Sequence, residues 1–150
     1  MYLKNALIGI LLLISNVTFS QIKIDDVGDG WKSKVDSAIL LIQEKDPKAY
    51  KLLTDHCKEV EFIIGDRSTT KLPNTIVITV KDMNINSINN IAAILVHESY
   101  HLYIWKSKIK LTEKKEEHNA YLYEYDFLCK LNDVEEWIFL NAVNQIIKHQ

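Results

Sequence analysis

The spacing of apolar residues changes several times along this chain, and each change marks a new element. Residues 6–14, ALIGILLLI, form an unbroken apolar run behind Lys4. From Trp31 to about Gln43 the apolar positions Val35, Ile39 and Ile42 recur at helical spacing. A second helix follows in DPKAYKLLTDHC, with Asp46 as N-cap, Pro47 as first helical residue and Leu52, Leu53 and Cys57 as its stripe. The period then drops to two in VEFII (60–64), where Val60, Phe62 and Ile64 share a face. TIVITV (75–80) is β-branched throughout and reads as a second strand. The turn-rich GDRSTTKLPN (65–74) joins the two, so we expect them to pair as a small sheet or hairpin.

Helical spacing returns at Ile88, after a cap at Asn86 or Ser87, and runs to about Lys106. Ile88, Ile91, Leu95 and Leu102 are its buried stripe. A polar connection, SKIKLT, leads to a helix over about Glu113–Leu131. A last helix lies in DVEEWIFLNAVNQIIKH, with Asp133 as its cap. The expected class is α+β and rich in helix.

Composition narrows this picture without redirecting it. The 150 residues suffice for one compact domain, are 47% apolar and 25% charged, and hold only four glycines and two prolines. A net charge of −2 supplies no basic footprint for nucleic acid. Lys4, the nine-residue apolar run, and Thr18 and Ser20 before Gln21 read as a secretory signal peptide over residues 1–20. The run is short for a membrane span. We therefore expect an exported chain, secreted or periplasmic, whose mature domain covers 21–150 and keeps no membrane span. Removing Lys4 leaves 17 basic and 20 acidic residues, a net charge of −3. In an oxidising compartment Cys57 and Cys129 could pair, or remain two separate buried thiols.

The chemistry concentrates in HESYH, His97 to His101. Residues four apart lie about 40° apart around a helix and about 6 Å apart along it. Two imidazoles so placed can reach one Zn²⁺ from the same side. Glu98 projects beside them, suited to take a proton from a metal-held water and return it to a leaving amine. A buried histidine pair without partners would be costly, and the apolar run IAAILV leads straight into the motif. A hydrolytic zinc site needs a third protein ligand and an open fourth position. Glu116, Glu117 and His118, in the first turns of the next helix, are the candidates. The long metzincin form of the motif would need glycine and histidine where Ile104 and Ser107 stand.

HESYH together with EHNA (Glu117–Ala120) resembles the gluzincin group of zinc metallopeptidases, and the chain length resembles its minimal members, the minigluzincins. The resemblance covers roughly residues 60–131. It implies a zincin-like domain in which the motif helix packs on a ligand-bearing helix, beside a small sheet with an edge strand above the cleft. It also implies Zn²⁺ as cofactor, His97, His101 and Glu117 as ligands, Glu98 as general base, and a peptide or protein as substrate. Ala120 would let the two helices approach closely. Many gluzincins carry an acidic residue where Tyr121 stands; Glu124, one turn on, could orient a ligand histidine instead.

Five tyrosines crowd this region: Tyr100, Tyr103, Tyr121, Tyr123 and Tyr125. Tyr121 shares the face of Glu117 and is the first choice to donate to an oxyanion. TIVITV could pair with an extended peptide through an exposed edge. His56 and His149 read as surface or helix-end residues apart from the motif. A different class also fits the sequence: a non-catalytic secreted binding protein with a structural zinc site or a degenerate peptidase fold.

Overall fold

A computed structural model describes residues 22–150; the expected signal peptide lies outside them. Six helices and a four-stranded mixed sheet make an α+β fold. Strand β1 (Lys23–Ile24) leads to helices α1 (Trp31–Lys45) and α2 (Pro47–His56). Strands β2 (Glu59–Ile63), β3 (Thr69–Lys71) and β4 (Thr75–Thr79) follow. Then come the short α3 (Val80–Asn84) and the long helices α4 (Ile88–Lys106), α5 (Glu113–Leu128) and α6 (Glu136–Lys148).

Local signals explain several boundaries. Asp46 caps α2 by accepting from the N–H groups of Lys48 and Ala49. Ser87 caps α4 by accepting from Asn90 N–H, while Asn86 before it sits at φ 61°. The start of α6 departs from expectation. Asp133 is not its cap; the Asp133 carbonyl accepts from Asn89, and the Glu135 carboxylate takes hydrogen bonds from Ser87 and Asn89. These contacts tie the beginning of α6 to the beginning of α4.

The sheet also corrects the hairpin expectation. Its order is β1-β2-β4-β3, and β2 pairs with β4 in parallel, Val60 opposite Ile76. The connection crosses to the far side of β4, forms β3, and returns through a turn at Leu72–Asn74, so the antiparallel pair is β3–β4. Strand β4 is interior and buried at all five positions, so the pairing edge expected of TIVITV belongs to β3. Ile64 falls outside β2 and is 90% exposed rather than facing inward.

Helix α4 is the centre of the fold. It meets α1 and α2 on one side, α5 on another, and β3 and β4 on a third. Eleven of its residues are buried, among them Ile91, Leu95, Val96 and Leu102. Cys57 is buried and Cys129 exposed, and both are free thiols, so they neither pair nor share a buried setting. Among the described residues no helix is long and apolar enough to cross a membrane.

Candidate metal centre

His97, His101 and Glu117 converge where α4 crosses α5. Their ligand atoms all lie within 4.8 Å of one another. His101 Nε2 stands 3.2 Å from His97 Nε2 and 3.4 Å from Glu117 Oε1, while His97 Nε2 stands 3.8 Å from Glu117 Oε2. Ligands at the usual bond length on a tetrahedral Zn²⁺ are roughly 3.3–3.4 Å apart. The two Nε2 atoms stand at about that spacing and a Glu117 oxygen lies near each of them, so the three residues are placed to share one ion, and two imidazole nitrogens with a carboxylate suit zinc chemically. Among the described residues the group has three protein donors. Ala120, one turn beyond Glu117, is fully buried, consistent with close packing of α5 on α4.

Each histidine has its other ring nitrogen held. His97 Nδ1 lies 3.0 Å from Glu124 Oε2, and His101 Nδ1 lies 2.7 Å from Glu116 Oε1. These carboxylates fix the imidazole orientations and leave both Nε2 atoms to face the common point. Burial drives the first pair toward neutral forms: His97 is pushed down to about 3, with the nearby His101 adding to the effect, and Glu124 up to about 8. Neutral imidazole is the form that binds a metal.

Glu98 lies in the same cleft, and burial raises its carboxyl to about 7. Tyr121 packs its ring on His97, centroids 4.3 Å apart, and burial raises its hydroxyl to about 12. The neighbouring tyrosines go elsewhere: Tyr100 packs at a tilt against Tyr103 and Tyr123, and Tyr125 meets Phe139 edge-on.

The three adjacent candidates for third ligand take three separate places. Glu117 joins the histidines, Glu116 backs His101, and His118 turns away to hydrogen-bond the Ile146 carbonyl at 3.1 Å. His56 lies apart, against Tyr103. His149 does not: its ring stacks on Tyr121 at 6.1 Å between centroids, and Tyr121 in turn packs on His97. Arg67, the single arginine of the chain, also lines the cleft. Sequence spacing carried no signal for either, because both arrive from distant elements.

No protein-family model, no curated protein and no solved structure compared with this chain matches it.

Proposed function

We propose that this protein is an exported zinc-dependent hydrolase, a metallopeptidase of gluzincin type. The observation that carries the reading is the convergence of His97, His101 and Glu117: three donors within 4.8 Å of one another, with both histidines backed by acidic side chains. Bound there, Zn²⁺ would supply Lewis acidity, polarising an amide carbonyl and making water a stronger acid. Glu98 would take a proton from that water on its carboxylate and return it to the leaving nitrogen. A buried carboxyl with a pKa near neutrality suits that exchange. The Tyr121 hydroxyl, kept protonated by burial, would donate to the oxyanion as it develops. A peptide is the favoured substrate because β3 ends the sheet and its residues Thr69 and Thr70 line the cleft, offering backbone for an extended chain to pair with. Three protein donors among the described residues, rather than four, favour a catalytic over a purely structural site.

Metal analysis with a hydrolysis assay tests this. Wild type should bind one zinc and cut peptides. Glu98→Gln should keep the zinc and lose at least about a hundredfold in rate, the low end of general-base contributions. His97→Ala should lose the zinc. Full zinc occupancy in His97→Ala would refute the assignment.

A further inference from the structure

The metal centre occupies only part of its cleft. The whole cavity measures about 1230 Å³, beyond the roughly 300–1,000 Å³ of small-molecule pockets. Along its floor, Asn90, Ile94, His97, His101 and Trp105 follow one another on α4 at steps of four, three, four and four residues. Asn90 to Trp105 spans about 22 Å of helix at 1.5 Å per residue. An extended chain covers that distance in roughly seven residues.

The exposed apolar surface is distributed unevenly. Of twelve large apolar side chains left exposed among the described residues, six line this one cleft. Two of the three tryptophans are among them, Trp105 at 48% and Trp137 at 46% exposure, whereas Trp31 is core. A concentration of this kind on a folded surface marks a binding groove.

The six fall at opposite ends. Leu72, Trp105 and Ile109 sit at the C-terminal end of α4. The β3–β4 turn reaches this end because Lys58 N–H bonds Asn74 O, while Lys106 Nζ bonds Asp55 O at the close of α2 just before Lys58. Ile85, Trp137 and Leu140 sit at the N-terminal end, where Glu135 is held by Ser87 and Asn89. At that same end Asn90, 8% exposed and lining the cleft, has a side-chain Nδ2 without a hydrogen-bond partner. An unpaired buried amide destabilises the fold, and a carbonyl entering the cleft could satisfy it after rotation of the carboxamide. The metal ligands lie between the two apolar ends.

Resting on the peptidase reading above, we infer that the cleft selects extended peptides of about seven residues with a bulky apolar side chain on each side of the attacked bond. One side chain seats on Leu72, Trp105 and Ile109, and the other on Ile85, Trp137 and Leu140. A third contact runs from the Asn90 amide to a main-chain carbonyl.

Binding can be measured apart from cleavage by titrating Glu98→Gln protein with blocked heptapeptides and following tryptophan fluorescence and calorimetric heat. The peptides carry phenylalanine at position 2, at position 6, at both, or serine at both. Each phenylalanine should tighten binding roughly tenfold, on the scale of burying one bulky apolar side chain. Trp105→Ala should erase the preference at one position and Trp137→Ala at the other. Asn90→Leu should weaken all four peptides alike while raising resistance to denaturant. Equal affinity for all four peptides, or loss of both preferences in either tryptophan variant, would overturn the inference. Preference without zinc or cleavage would remove the peptidase reading and leave the groove standing. Zinc-dependent cleavage indifferent to phenylalanine would do the reverse.

Discussion

Replacing Glu124 by leucine separates two effects that this carboxylate combines. Its side chain is 8% exposed, its partner His97 is 9% exposed, and the bond between them is 3.0 Å long. Water cannot readily replace a partner buried that deeply. Removing it frees the His97 ring to rotate and takes away the hydrogen-bond partner that leaves Nε2 facing the metal point. Outer carboxylates of this kind are worth about 10–100-fold in metal affinity, or about 1.4–2.7 kcal/mol. The burial places Glu124 near the upper end of that range. Glu116, at 29% side-chain exposure behind His101, leaves room for water to substitute, so Glu116→Leu should cost about tenfold or less. Zinc affinity is read by competition with a chromogenic chelator at fixed pH. Fold stability moves the other way: burying Glu124 is costly without a metal behind its partner, so the zinc-free Leu variant should resist denaturant at least as well as wild type. Zinc affinity within twofold of wild type in Glu124→Leu, or a larger loss in Glu116→Leu, would refute the reasoning.

Further outcomes follow from features away from the metal. Asp46→Ala should destabilise the fold by about 2 kcal/mol, because this 5%-exposed carboxylate caps α2 through two N–H groups and accepts from Lys130; calorimetry should show Tm falling by about 4–8 °C. Burial raises the Cys57 thiol from 9.0 to about 11, so the thiol's stabilising contribution is complete below pH 9 and is lost as pH rises toward 11. Wild type should lose roughly 2–3 kcal/mol relative to Cys57→Ala across that window in denaturant titrations. A thiol reagent at pH 8 should modify Cys129 at once and Cys57 only on unfolding.

Legibility in the sequence varied with the reach of the forces involved. Helix α2 was readable because Asp46 and Pro47 act within four residues of one another. Helix α4 was readable for the same local reason, and the i, i+4 histidines needed only helical geometry to meet. Spacing alone could not separate Glu117 from Glu116 and His118, because neighbouring helical residues differ by about 100° in direction and packing on α4 sets which faces the metal point; the resemblance carried by EHNA pointed to Glu117, which does join the histidines. Strand β3 hid in the polar loop: three residues at a sheet edge bury too little apolar surface to leave an alternating pattern. The start of α6 was misplaced because Asp133 and Glu135 answer to Ser87 and Asn89, more than forty residues away. The cleft's apolar ends were invisible for a related reason, since Leu72, Ile85, Trp105 and Trp137 come from four separate segments.

Helix α4 leaves the chain little freedom to vary. Of its nineteen residues only Trp105 and Lys106 are exposed; the others are buried or partly buried, by the core, the sheet or the cleft. Random substitution along this helix should therefore be tolerated chiefly in its last turn. That turn is also where the helix meets one apolar end of the cleft. A change at Trp105 can alter what the cleft accepts without disturbing a metal ligand or opening a void in the core. Selectivity would thus be free to drift in descendants of this chain while the metal-binding scaffold stayed fixed, and laboratory evolution should find new preferences there first.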